Sequence, residues 1–238
     1  MINTVDLRII SYNIKSFELC EINKLIEFFK NGKFDIILLQ EVDSNTKKNN
    51  YNITKFIAEK LDYYYYFAPA RKKMKGEFGN SIITSYEIKN KEIICLPYKK
   101  LETRCLQGIK IYLDKLNQDI FIFNTHLDWD KLYEIQNLQI DIIHKYLEDN
   151  YNNQYLVILG GDFNIEHKHI KNLNFINKYY KQDYIINTWS TKRPKTQLDN
   201  IYISCNHNKC SIYKNEYYSQ DIKMSDHKPL MCNLTLCV

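Results

Sequence analysis

Acid, amide and imidazole side chains recur beside apolar runs along this chain. Asn13 follows the run at 9–12, and Gln40 and Glu41 follow 36–39. Asn124, Thr125 and His126 follow 120–123, and Asp162 and Asn164 follow 157–161. Asp199 opens a further run at 200–203, and Ser225, Asp226 and His227 precede the last one. Singly, each has an ordinary explanation: a solvated loop carboxylate, or a histidine satisfied in a turn. Together they bring several carboxylates, three asparagines and two histidines to strand ends. A hard cation such as Mg²⁺ takes oxygen ligands from one or two carboxylates and leaves the rest of its shell to water and phosphate oxygens. Histidines beside such a site exchange protons near neutral pH. The set suits metal-assisted cleavage of a phosphoester, with Mg²⁺ as cofactor and Mn²⁺ as its substitute.

Buried strands are needed to hold these groups at one rim, as in open α/β sheets. The alternation at 5–14 predicts a strand, and 35–39 reads as a strand apolar on both faces. Further strands are expected at 63–67, 81–85, 92–96, 106–113, 120–125, 155–159, 201–204 and 230–236. Helices are expected at 20–30, 50–61 and 132–147, the last with Leu132, Ile135, Leu138, Ile142 and Tyr146 as its buried stripe. Strands with helices inserted between them indicate two packed sheets covered by helices. No repeat or Pro/Ser-rich linker divides the chain, so 1–238 reads as a single domain.

Composition limits the alternatives. A hydrophobic fraction of 45% over 238 residues supports a packed core and excludes wholesale disorder. The apolar runs are strand-sized and far short of the ~20 residues of a membrane helix. No basic and then apolar leader opens the sequence, and the seven cysteines include no CxxC pair; an intracellular, reduced protein is expected, with no signal peptide and no membrane span. The net charge of +5 is compatible with a polyanionic partner. However, only four of the 33 basic residues are Arg, and Asn, Ile and Tyr are abundant, a bias that also follows from A/T-rich coding.

The segments Ser11-Tyr12-Asn13-Ile14, Leu38-Leu39-Gln40-Glu41-Val42, Gly79-Asn80-Ser81-Ile82-Ile83, Asn124-Thr125-His126-Leu127, Gly161-Asp162-Phe163-Asn164, Leu198-Asp199-Asn200-Ile201 and Ser225-Asp226-His227 together resemble the exonuclease–endonuclease–phosphatase superfamily, with its deoxyribonuclease I-like fold. The resemblance runs from residue 11 to 227. It implies a four-layer α/β sandwich, in which two packed mixed β-sheets are flanked by helices, and a metal-dependent phosphoric-ester hydrolase. By resemblance Asn13 and Glu41 are the metal-binding pair, Glu41 the principal Mg²⁺ carboxylate, and Asp226 a further metal-site carboxylate. Asp162 positions or deprotonates the attacking water, and Asn164 donates to the phosphate. His227 is a catalytic histidine oriented by Asp199. His126 is a second one, which contacts the phosphate or protonates the leaving oxygen, with Glu77 or Glu102 as its carboxylate partner. Asn80 and Arg104 join the substrate-binding set.

The substrate is less defined. LQEV in place of LQET, together with a clear His126, disfavours the apurinic endonucleases. The stretch before Asp199 lacks the Trp-Cys-Asp-Arg of inositol-polyphosphate 5-phosphatases. The membrane element of neutral sphingomyelinases is not seen. Two basic clusters, 71–75 and 192–195, are expected in loops beside the rim, where Lys192 and Arg193 would grip phosphate. Trp189 is a candidate stacking surface, whereas the tyrosines at 63–66 read as core. The reading is a Mg²⁺-dependent nuclease or phosphodiesterase acting on DNA or RNA, monomeric. The alternative is a phosphatase or phosphodiesterase acting on a small or lipid phosphoester of inositol phosphate or sphingomyelin type.

Overall fold

The computed structural model describes residues 4–99, 102–151, 155–180, 185–204 and 211–237. Two six-stranded mixed sheets pack face to face. The first is formed by β1 (Thr4–Asn13), β2 (Ile36–Ser44), β3 (Tyr64–Lys73), β4 (Gly76–Thr84), β11 (Ser211–Ser219) and β12 (Leu230–Cys237), in the order β11-β12-β1-β2-β4-β3. The second contains β5 (Asn90–Leu96), β6 (Arg104–Leu113), β7 (Gln118–His126), β8 (Leu156–Asp162), β9 (Tyr179–Tyr180) and β10 (Asp199–Ser204), in the order β5-β6-β7-β8-β10-β9. Helices α1 (Ile22–Gly32) and α2 (Ile53–Leu61) cover the first sheet, and α3 (Glu134–Tyr151) and α4 (Leu173–Lys178) cover the second. This is the four-layer sandwich that the resemblance implies.

Strand alternation builds the layers. Leu7, Ile9, Ile36, Leu38, Ile120, Ile122, Ile158, Ile201 and Ile203 point into the gap between the sheets. Their neighbours Ile10, Tyr12, Ile37 and Leu39 turn outward under α1 and α2. Phe121, Phe123, Val157 and Leu159 turn outward under α3 and α4. Gly160 permits close approach of the sheets: a Cβ there would lie 2.4 Å from Leu38 Cδ1. A polar seam crosses the gap, where Gln40 Nε2 donates to Asn124 Oδ1 at 2.8 Å and Asn124 Nδ2 donates to the Leu39 and Ser81 carbonyls at 2.9 and 3.0 Å.

Several local expectations change. Arg71, Lys72 and Lys73 lie on β3, paired with β4, and only Met74 and Lys75 form the turn. Gly160 and Gly161 belong to β8. β2 continues past Glu41 to Ser44. Of the stripe expected on α3, Ile135 is buried and Ile142 and Tyr146 pack partly against the core, whereas Leu138, and Leu132 before the helix, are exposed; the buried face runs through Gln139, Ile140, Ile143 and Leu147, and its glutamines hide it from a hydrophobicity reading. Tyr63, Tyr65 and Tyr66 pack against the cores as expected, whereas Tyr64 points to solvent. Five cysteines carry free thiols, and Cys205 and Cys210 lie outside the described residues.

Candidate active site

The inward-facing register of the second sheet ends in a row of polar residues. His126 on β7 is level with Asp162 on β8, and Asp162 is level with Asp199 on β10. Each is two residues along its strand from an inward position: Asn124, Gly160 and Ile201. The row therefore sits where the gap between the sheets opens. The bond from Asn164 N to Asp162 Oδ1 at 3.0 Å fixes that carboxylate. The Thr188 hydroxyl, itself buried, accepts from the amides of Leu198 and Asp199 at 3.2 Å and seats the start of β10.

The first sheet supplies Asn13 and Glu41 from the opposite side. Asn13 ends β1 facing inward. Glu41 would face the helices if β2 alternated regularly. Instead the β2–β4 register jumps between Leu39 and Val42, so Gln40 and Glu41 together oppose Asn80, and Glu41 takes a left-handed φ of 57°. This two-for-one bulge brings Glu41 to the inward side as well. Asn13 Nδ2 then donates to Glu41 Oε1 at 3.1 Å and to Asp162 Oδ2 at 3.0 Å, joining the two sheets.

The bulge is buttressed. Behind it, Asp43 is buried and pairs with Lys73 Nζ at 3.0 Å. The Ser16 hydroxyl accepts from Lys73 at 2.8 Å and lies 3.3 Å from Asp43 Oδ1. Ser16 is central in three consecutive left-handed residues, Lys15, Ser16 and Phe17, a run that L-residues rarely adopt.

His227 Nδ1 donates to Asp199 Oδ2 at 2.8 Å, and its Nε2 lies 3.6 Å from Asp162 Oδ2. Burial alone would push its pKa down, but Asp199 and Asp162 carry it up to about 10, so it is an imidazolium at neutral pH. His126 behaves oppositely: burial, with Arg104 and His227 adding to it, holds it well below the usual imidazole range, hence neutral. Arg104 Nη1 faces His126 Nδ1 at 3.4 Å. Guanidinium only donates, so Nδ1 accepts and the His126 proton sits on Nε2, 3.7 Å from Asp162 Oδ2. Burial raises Asp162 to about 6, against the lowering influence of His227.

The partner expected for His126 is therefore reached indirectly. Arg104 Nη2 donates to Glu102 Oε2 at 3.2 Å, and Glu102 Oε1 pairs with Arg71 at 2.9 Å, whereas Glu77 pairs with Lys72 at 2.8 Å. Asp226, the expected further metal carboxylate, is held by Lys15 Nζ at 2.8 Å and reaches Asn13 only through Lys15, whose N donates to Asn13 Oδ1 at 3.1 Å. Asn164 Nδ2 donates to the Leu127 carbonyl at 3.0 Å, and Asn80 is buried with its amide 3.9 Å from Cys105 Sγ. Lys192 and Arg193 are exposed on the loop preceding Asp199, and the Trp189 ring is partly exposed there. Sequence reasoning missed Lys15, Ser16, Asp43, Lys73 and Thr188 as supports. Only the Asp43 carboxylate, next but one to Glu41, carried a signal.

Among the described residues, Asp162, Asp199 and His227 offer ligand atoms all within 4.8 Å of one another, a spacing that a metal-ligand group would have. The Nδ1–H donated to Asp199 fixes the orientation of the His227 ring. Glu41 and Asp162, bridged by the Asn13 Nδ2 donor, are two carboxylates of the kind a hard cation takes, while Asn13 Oδ1 accepts from Lys15 N at 3.1 Å.

The sequence profile of the endonuclease/exonuclease/phosphatase family matches residues 10–227. The chain belongs to this family. It has the fold and the sequence signature of a metal-dependent phosphoester hydrolase. No curated protein sequence matches it significantly. Among solved structures, truncated Caenorhabditis elegans TDP2 is similar at 18% identity and a TM-score of 0.72, covering 98% of each chain. A mannosyl-6-phosphatase from Bacteroides thetaiotaomicron is similar at 17% identity and a TM-score of 0.73, covering 96% of this chain and 99% of that one. D. rerio TDP2 complexed with a single-strand DNA product gives 17% identity and a TM-score of 0.73, over 96% of this chain and 98% of the other. Structures with this fold thus include one named a mannosyl-6-phosphatase and one complexed with a single-strand DNA product. No described helix is long and apolar enough to cross a membrane.

Proposed function

We propose that the protein is a Mg²⁺-dependent phosphodiesterase, acting on DNA or RNA, that catalyses in-line attack of water on phosphorus. The observation that carries this reading is the meeting, through the Asn13 amide, of Glu41 from one sheet with the His126–Asp162–Asp199 row of the other. Glu41 and Asn13 would hold the cation, with Asp162 beside them. When bound it supplies charge neutralisation at the phosphoryl oxygens.

The chain's own groups then have distinct tasks. Asp162, ionised at neutral pH and fixed by two hydrogen bonds, orients water and takes its proton. The His227 imidazolium, kept charged by Asp199, sits against the phosphate as an electrostatic clamp. Neutral His126 presents Nε2–H to a phosphoryl or leaving oxygen. Asn164, held at a left-handed φ of 50° that asparagine tolerates, follows Asp162 at the rim.

A second reading, hydrolysis of a small phosphomonoester, draws support from the basic residues of β3. Arg71, Lys72 and Lys73 each already have an acidic partner, which weakens their grip on a polyanion. Assays of the purified protein with Mg²⁺, Mn²⁺ or EDTA on DNA, RNA, sphingomyelin and a phosphosugar separate the readings. Cleavage of oligonucleotide that is abolished by EDTA is expected. Phosphate release from the sugar alone would establish the second reading, and metal-independent turnover would refute both.

A further inference from the structure

A cavity of about 700 Å³ opens beside the turn that carries His227, walled by Leu19, Thr191, Lys192, Asp221, Lys223 and Asp226. Its charges are unequal in effect. Asp221 is paired with Lys228 at 3.3 Å and Asp226 with Lys15 at 2.8 Å, so both carboxylates are already compensated by cations. Lys192 and Lys223 have no acidic partner among the described residues. The cavity therefore carries two uncompensated ammonium groups.

Its position relative to the site is fixed. Thr191 N donates to the Asp226 carbonyl at 2.8 Å, and Thr191 Oγ1 donates to the Ser225 carbonyl at 2.7 Å. The Lys192 loop is thus fastened to the residue preceding His227. Beyond Leu19 and Lys223 the surface continues into a neighbouring depression where Glu18 and Glu21 accompany Lys24, and the cationic excess ends there. The space is roomy enough for a phosphate together with the group that bears it, with exposed Leu19 as a wall for the apolar part.

We propose that this cavity is a subsite for a second phosphate group of the substrate, next to the one being cleaved. The inference rests on the phosphoesterase reading and adds to it a preference for multiply phosphorylated substrates. A nucleic-acid backbone and a small bisphosphate both carry that chemistry.

The test compares two matched pairs: a thymidine dinucleotide with and without terminal 5′- and 3′-phosphates, scored by cleavage of the internal diester, and fructose 1,6-bisphosphate with fructose 6-phosphate. Wild type should favour the more phosphorylated member of one pair by about tenfold or more in kcat/KM, the size expected of charge-assisted contacts. Lys192→Gln/Lys223→Gln should abolish that ratio. Both lysines are exposed, so the double variant should fold. A ratio seen with the dinucleotides identifies a nucleic-acid source, and one seen with the sugars a small-molecule source. No preference in wild type, or one that survives in the double variant, overturns the proposal. If none of the four compounds is turned over, the hydrolase reading fails separately. Calorimetric titration with pyrophosphate then decides the subsite: binding weakened about tenfold or more by the double variant upholds it, and equal binding or none overturns it.

Discussion

The two sheets bring their candidate site residues together by different means. In the second sheet, regular register is sufficient: His126, Asp162 and Asp199 are level on neighbouring strands and prolong the inward-facing row. In the first sheet, regular alternation would direct Glu41 into the helical layer, and a bulge with a left-handed glutamate corrects it. That correction is supported by buried Ser16 and Asp43 with the partly exposed Lys73, and by three left-handed residues after β1. One half of the site rests on regular strand register, with positive φ only at Gly161 and Asn164 beside Asp162. The other holds unfavourable backbone in place with buried charge. Substitutions in the two halves should therefore fail differently.

The largest contrast is expected for Asp162→Asn. A buried carboxylate with a raised pKa costs folding free energy when ionised, and the amide relieves that cost. Turnover should fall by about 10²–10⁴-fold, as for loss of a general base, while Tm stays level or rises. Steady-state kinetics beside thermal melts check both halves of this expectation. Asp43→Asn should act in the opposite sense. It leaves Lys73 against a neutral partner, and because Lys73 is partly exposed the loss should be about 2–3 kcal/mol, below the ~3–5 of a fully buried pair. Loosening the bulge should also raise the Mg²⁺ concentration for half-maximal activity about tenfold, an effect typical of groups that orient a ligand. Denaturant melts of the metal-free protein and a Mg²⁺ titration read the two effects.

How much of this was legible in the sequence follows the same division. The row in the second sheet could be read because each polar residue follows or opens an apolar run, and the motif order did the rest. Glu41 was recognised by its motif, but a period-2 reading has no symbol for a bulge, so β2 was ended too early. Lys73 and Ser16 look like ordinary surface residues in a Lys-rich chain, Asp43 is marked only by its spacing from Glu41, and the tertiary fold reveals that Ser16 and Asp43 are buried. Arg71–Lys73 was read as a loop for its charge, although strand pairing and local acids accommodate it. The α3 face was misplaced because Gln136, Asn137 and Gln139 are buried through hydrogen bonds rather than hydrophobicity.

Protonation gives a subtler contrast between the two histidines. With a folded pKa near 10 against 6.5 unfolded, the stabilisation from His227 is fully present below pH 6.5 and is lost as pH rises through 10. In metal-free protein its imidazole signals should titrate near 10 by NMR, those of His126 well below 6.5, and Asp199→Asn should bring His227 back toward 6.5. The smallest effect is expected for Arg104→Gln. Losing the donor to His126 Nδ1 should cost about tenfold in kcat with little change in KM, and His126 should titrate higher.

The meeting of the two halves at one cation is tested most directly by titrating Mg²⁺ into wild type and Glu41→Gln with a simple phosphodiester as substrate. Wild type should show saturable Mg²⁺-dependent turnover abolished by EDTA, and Glu41→Gln should lose about 10³-fold or more at any Mg²⁺ concentration, the scale of a lost transition-state electrostatic contact. Wild-type turnover insensitive to EDTA, or full Mg²⁺-dependent turnover by Glu41→Gln, would contradict it.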